Sequence, residues 1–338
     1  MDSLQLLWFV LIAVLFSGFF FLEGFDFGVG MSLTTLAKDE NEVDQAIATI
    51  GPVWDGNEVW LLTAGGAMFA SMPYWYASLF SGYYLLMFII LVGLIIRGVS
   101  FEFRATHTSE KQKVLWGKLS SIGSFIVPFT FGLVFTSLIQ GMPIDANGDI
   151  RATFFDYVNL LSVVGGVAVT LLCYLHGLNY LSIRTEGKIR DRAKDYAKRL
   201  YLVLYAGEVV FAALLILFTD FMDKHPVSTL GMLAVIVILT VIAHVSVWKG
   251  NERGAFISSG LTFVALVALL FTGLFPRVMI AKEEKFDILI KNASSSPYTL
   301  KMMTIITCTI LPFVLAYTIW TYWVFRKRVV SDRIGEGH

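Results

Sequence analysis

Nine apolar stretches, at about 4–32, 56–76, 78–101, 116–140, 157–182, 200–219, 227–248, 254–275 and 303–325, constrain this chain more than any other feature, because each can cross roughly 30 Å of hydrocarbon. A segment in lipid must satisfy its backbone polar groups internally, so stretches of this length become helices. The chain is therefore expected to be an all-α integral membrane protein with about nine transmembrane helices. Its composition agrees: of 338 residues 56% are hydrophobic and only 15% charged, too apolar for an ordinary soluble fold. The whole of 1–338 reads as one polytopic membrane domain, with helical bundles at about 4–140 and 157–275 and a last helix at about 303–325. The first stretch follows Asp2 with no basic flank and no small-residue cleavage pattern, so it reads as a retained helix rather than a signal peptide.

Every second connection is basic. Arg97, Arg104, Lys111, Lys113 and Lys118 follow the third stretch, and Arg184, Lys188, Arg190, Arg192, Lys194, Lys198 and Arg199 follow the fifth. Lys249 with Arg253, then Arg326, Lys327 and Arg328, continue the alternation, while the opposite loops carry Asp145, Asp149 and Asp156, or Asp220 and Asp223. Positive charge marks the cytoplasmic side, so the N-terminus is expected outside and the C-terminus in the cytoplasm. The loop at about 276–302 is mixed in charge and falls outside by helix count.

Acidic residues inside such a chain carry a functional hypothesis by default. Glu23 and Asp26 lie in Glu23-Gly-Phe-Asp-Phe-Gly-Val-Gly30, and Asp55 and Glu58 in Gly51-Pro-Val-Trp-Asp-Gly-Asn-Glu-Val-Trp60. Each pair is spaced i, i+3 and so shares one helix face. The expected topology gathers all four, with Arg97, at the cytoplasmic surface. Two readings stand: an ion-pair lock between the first three helices, or a path for proton uptake.

These segments also resemble a known family. Gly24-Phe-Asp-Phe-Gly-Val-Gly30, Gly51-Pro-Val-Trp-Asp-Gly-Asn-Glu-Val-Trp60 running on to Ala70, Arg97-Gly-Val-Ser-Phe-Glu-Phe-Arg104 and Asn292-Ala-Ser-Ser-Ser-Pro-Tyr-Thr-Leu300 are similar to subunit II of the cytochrome bd quinol oxidases. The resemblance implies a bacterial plasma-membrane location and a heterodimer with a larger subunit I that holds haems b and d. It leaves room for a small accessory single-helix subunit, a bound quinone and membrane lipid, and implies no nucleic-acid partner. The pair would oxidise quinol, reduce dioxygen to water and generate a proton-motive force without pumping, and this chain would carry no catalytic residue and no metal of its own. The resemblance further implies that Asp55 relays protons toward the oxygen-reducing haem, that Trp54 shapes its surroundings, and that Glu23, Asp26 and Arg97 support it, with Glu58 a further candidate for the path. A proton-coupled transporter and a purely structural scaffold are the competing readings.

Other residues read more plainly. His176 and His244 are expected to be hydrogen-bonded near helix ends rather than haem ligands, and His107, His225 and His338 sit in loops or at the terminus. Glu208 is expected to pair with a basic residue at a neighbouring helix end, the alternative being a part in proton movement or in the subunit contact. Cys173 and Cys308 read as small buried hydrophobes, and Tyr74, Trp75 and Tyr76 as an interfacial aromatic belt. Gly24 with Gly28, and the Gly65–Gly66 pair, permit close helix approach, and the second pair also leaves room for a lipid or a quinone tail. Gly28 and Gly30 make no nucleotide fingerprint, since no strand precedes them.

Overall fold

A computed structural model describes residues 1–330, and helix dominates it. In chain order the first half holds α1 (Ser3–Thr35), α2 (Glu40–Ile50), α3 (Trp54–Ser71), α4 (Pro73–Gly82), α5 (Tyr84–Thr106) and α6 (Glu110–Gln140). After the single turn α7 (Phe154–Tyr157) come α8 (Leu160–Arg184), α9 (Lys188–Phe218), the short α10 (Phe221–Lys224), α11 (Pro226–Trp248) and α12 (Glu252–Leu274). Strands β1 (Arg277–Met279) and β2 (Ile288–Leu289) then form an antiparallel pair, followed by α13 (Ile290–Ala293) and α14 (Pro297–Val324). Among the described residues, α1, α5, α6, α8, α9, α11, α12 and α14 are long and apolar enough to cross a membrane, eight in all. His338 lies outside the described residues.

The stretch expected to cross at 56–76 is the one that departs. α3 has 18 residues, about 27 Å of helix, and ends where Met72 leaves helical geometry at φ −135°, ψ 63°. Pro73 then opens α4, because proline has no N–H to continue the preceding helix but suits a first turn. The first two turns of α3 carry Asp55, Asn57 and Glu58, which leaves it without the long apolar window that the other eight have. Its last carbonyls are satisfied from far along the chain: the Ser295 N–H donates to Ser71 O at 2.8 Å and the Ser295 hydroxyl to Ala70 O at 2.7 Å. That contact gives Ser295, in the serine-rich segment before α14, its partner. The stretch expected at 78–101 shifts accordingly, α4 occupying its start and α5 running on to Thr106.

α1 is the hub, packing against α3, α6, α8 and α12. The helices meet through small residues, since lipid gives apolar side chains no reason of their own to leave it. At the α1–α8 crossing Gly28 faces Gly177, and a Cβ on Gly28 would collide with the Cys173 carbonyl and the Gly177 backbone. Gly65 and Gly66, by contrast, face open space and support no close approach. Around α1 an aromatic ladder fills the interior: Phe19 meets Phe131 edge-on at 5.4 Å and Phe20 stacks on Phe263 at 5.8 Å.

Two smaller expectations are corrected by packing, and one element is added. Trp75 is no belt residue, since it turns inward beside Phe9 and Phe271 and is 3% exposed, while Tyr74 stays outside. Cys173 is buried but Cys308 is exposed, because α14 shows nearly all of its surface. α2, which lies between the apolar stretches, is started by Asp39, whose carboxylate accepts the Glu42 N–H at 2.9 Å. It buries Val43, Ala46 and Ile50 and carries its acids to the basic loops.

Candidate functional site

The helix hub brings most of the acidic residues to one place. Glu23 and Asp26, on one face of α1, and Arg97 of α5 are all fully buried. The Arg97 guanidinium pairs with Glu23 through Nη1 and donates through Nη2 to Glu58 Oε2 of α3 at 2.9 Å. Phe27 lies under the guanidinium with its ring centre at 4.7 Å, so the cation is held by two carboxylates and one aromatic face. Desolvating these charges is costly, and mutual pairing is what offsets it.

Asp26 is held differently. Its Oδ2 accepts from the Asn57 side-chain amide at 2.7 Å, and Asn57 Oδ1 in turn accepts from the Tyr322 hydroxyl of α14 at 2.6 Å. Asp26 Oδ1 and Glu23 Oε2 have no hydrogen-bond partner among the described residues. Glu58 is the partly open member, its side chain 23% exposed, and forms the mouth of the cluster.

Asp55 stands apart. One turn of α3 before Glu58, it is exposed and takes part in no ion pair among the described residues. It shares an uncovered stripe of α3 with Gly56, Val59, Leu62, Gly66 and Phe69. Trp54 packs on Phe101 of α5 with ring centres 5.5 Å apart, one turn beyond Arg97. Of the six residues singled out from the sequence, Glu23, Asp26, Glu58 and Arg97 therefore converge, Trp54 buttresses them, and Asp55 faces outward.

Sequence reasoning missed Asn57 and Tyr322, which join α1, α3 and α14 through Asp26. Asn57 sits inside the motif already quoted, and a buried amide beside two acids was a usable signal. Nothing near Tyr322 announced it. Also missed was the clamp on the basic-loop side, where Arg104 meets Glu40 at 2.7 Å and Asp44 at 2.8 Å on α2, and Arg192 pairs with Glu42.

The histidines do not fit haem ligation as they stand. His176 uses Nδ1 with Ser259 Oγ at 2.7 Å and Nε2 with Phe21 O at 2.9 Å, and its ring stacks on Phe256 at 4.6 Å. His244 uses Nδ1 with the Tyr205 hydroxyl at 2.9 Å and Nε2 with Lys198 O at 3.1 Å. His225 and His107 are likewise bonded to backbone carbonyls, of Phe275 and Phe103. Glu208 corrects its expectation: it forms no ion pair among the described residues, only a 3.4 Å bond from Thr240, and it borders an apolar cavity of about 80 Å³.

Comparison with known proteins bears on the same segments. The family described as cytochrome bd terminal oxidase subunit II matches residues 4–325. The chain is 46% identical to the cytochrome bd ubiquinol oxidase subunit 2 of Bacillus subtilis (strain 168), covering 97% of this chain and 98% of that one. It belongs to the cytochrome bd terminal oxidase subunit II family. The cytochrome bd-I ubiquinol oxidase subunit 2 of Escherichia coli (strain K12) is 31% identical, with 98% and 97% covered. In fold the chain resembles a chain in the structure of bd oxidase from Geobacillus thermodenitrificans, with a TM-score of 0.73, 15% identity and coverage of 96% and 99%. Membership of this bd subunit II family, with eight apolar helices, makes the protein a multi-pass protein of the bacterial plasma membrane. The segments that carry the family resemblance are those that build the cluster: one supplies Asp26, the next Asn57 and Glu58, the third Arg97, and the fourth leads into the helix that bears Tyr322.

Proposed function

We propose that this chain is the haem-free subunit II of a membrane complex that oxidises quinol and reduces dioxygen to water, and that it carries protons inward from the cytoplasmic surface. The haems, of b and d type, belong to the partner subunit I. The engagement of both ring nitrogens of His176 and of His244 supports that division of labour. Making water consumes protons while oxidising quinol releases them, so taking the first from the cytoplasm and releasing the second outside generates a proton-motive force without a pump. We read the described helices as one membrane unit that α3 crosses together with the eight more apolar helices, so that nine crossings put the N-terminus outside and the C-terminus in the cytoplasm, following the alternation of basic loops.

The observation that carries the proton-uptake reading is the sequence of exposures along one line: Asp55 exposed, Glu58 partly open, Glu23 and Asp26 fully buried. A relay needs ionisable groups within hydrogen-bond reach or one water of each other. Asp55 and Glu58 are neighbours at i, i+3, with roughly 5–6 Å between their Cβ atoms, and Arg97 links Glu58 to Glu23. In this reading Asp55 takes up the proton at the cytoplasmic surface and passes it toward subunit I, and Arg97 holds the buried acids in place. The uncovered stripe of α3 and the exposed α14 offer surface to subunit I and to an accessory single-helix subunit. The apolar cavity beside Gly65 and Gly66, about 870 Å³, is the space we read as open to a quinone or acyl tail.

A complex purified through a tag on this chain should carry haem absorption bands and consume oxygen with quinol, and the polypeptide made without its partner should be colourless. A stoichiometric haem kept by the isolated chain, and lost on His176→Ala or His244→Ala, would overturn the assignment of haems to subunit I.

A further inference from the structure

We infer that the lipid-facing groove between α6 and α8 is a binding site for one anionic phospholipid whose headgroup also carries a hydroxyl. Two stripes at helical spacing make the groove: Ile122, Phe125 and Phe129 on α6, and Val167 and Leu171 on α8. It encloses about 740 Å³. Ile122, Phe125 and Val167 are exposed, so apolar walls stand open toward the hydrocarbon. From Phe129 to Lys118 the wall runs eleven residues, roughly 16 Å at 1.5 Å each, which suits the outer part of an acyl chain.

One end of the groove is polar, and it is the end nearest the basic loops. Lys118 lines it, is exposed, and joins none of the ion pairs among the described residues. Beside it the end of α1 supplies two hydroxyl pairs, Thr34 Oγ1 with Ser121 Oγ at 2.7 Å and Thr35 Oγ1 with the Tyr174 hydroxyl at 2.6 Å. Thr35 and Ser121 both donate to Met31 O, at 2.9 Å and 3.3 Å. Thr34 and Tyr174 must then donate to them, so the collar spends its hydrogens internally and turns lone pairs outward. A ligand that fits offers an anion to the lysine, hydroxyl donors to the collar and an alkyl chain to the groove. Phosphatidylglycerol has all three, whereas phosphatidylcholine offers a cation and no donor. An unpaired ammonium at the membrane surface attracts anionic headgroups in any case, and the collar and groove make that attraction local.

The test uses the whole complex purified through this chain, stripped with excess detergent and incubated with phosphatidylcholine vesicles containing a minor share of phosphatidylglycerol. Lipid retained after repurification is counted by mass spectrometry. Wild type should enrich phosphatidylglycerol over its share in the vesicles, and Lys118→Gln should lower that enrichment roughly five-fold, the effect of one lysine beside an anionic surface. Val167→Trp, a change at an exposed position that fills the groove, should lower it as well, with haem content and melting temperature checking that each variant is folded. Millimolar inorganic phosphate should displace nothing. Equal enrichment in wild type and Lys118→Gln, normal enrichment in Val167→Trp, or displacement of the lipid by phosphate alone would each overturn the proposal.

Discussion

Glu23 and Glu208 are both carboxylates set into helices of this protein, and they are housed in opposite ways. Glu23 is fully buried and meets a guanidinium that a second carboxylate, Glu58, also holds. Glu208 borders an apolar cavity with one long bond from Thr240, and its Oε1 has no partner among the described residues. The difference lies in what each acid is tied to. Glu23 joins α1, α3 and α5 through Arg97, so its surroundings are built around its charge. Glu208 ties α9 to α11 by a hydroxyl alone, and little of the fold depends on it.

Removing the cation should break the first arrangement and leave the second untouched. Arg97→Leu would strand Glu23 in a dry site, and losing one partner of a buried ion pair costs about 3–5 kcal/mol. The expected result is a large drop in the melting temperature of the complex and in its yield. Adding Glu23→Leu to Arg97→Leu should recover part of the loss, because the stranded charge goes with it. No recovery would mean that Arg97 matters for something other than compensation.

A milder version of the same pairing lies outside the membrane-spanning helices. Burial alone would push the Asp220 carboxyl up, but two hydrogen bonds from Arg277 at 2.6 and 3.0 Å, with the charges of Arg277 and Lys224, outweigh it and hold the group below the usual carboxylate range. A carboxyl lowered on folding stabilises the fold above its unfolded value, near 3.9, and that contribution is lost as pH falls through the folded value. Amide exchange in β1 and β2 should therefore speed up selectively below about pH 4, and Asp220→Asn should remove the pH dependence. The smallest effect belongs to the lone acid: Glu208→Gln should change stability by no more than about 0.5 kcal/mol, read as an unchanged melting temperature. A large loss there would show a partner for Glu208 that the comparison leaves out.

Most of this fold was legible because spans in lipid are written as apolar runs, and the i, i+3 acids of α1 and α3 announced a shared face. What escaped depended on contacts distant in sequence. The end of α3 at Ser71 rests on Pro73 and on Ser295, more than two hundred residues away, so an apolar run continuing to Tyr76 could not reveal it. α2 is short and acidic, and it acquires its role only when folding delivers Arg104 and Arg192 to it. At the candidate site the spacing put Asp55 and Glu58 on the same face, but a difference of three residues still turns them by 60° on a helix of 3.6 residues per turn. That turn is enough to take Glu58 into the cluster and leave Asp55 outside. Tyr322 was unreadable for the same reason as Ser295, since its partner Asn57 lies at the other end of the chain.

If protons enter through Asp55, turnover of the assembled complex must depend on its carboxyl, and Asp55→Asn shows whether it does. The substitution removes the ionisable group while keeping its size, and Asp55 holds no ion pair among the described residues whose loss could be mistaken for lost relay. Oxygen consumption at saturating quinol, measured per haem, should fall at least about ten-fold while haem content stays at the wild-type level. Full turnover in a haem-replete Asp55→Asn complex would contradict the account and leave the acidic cluster as a structural lock between α1, α3 and α5.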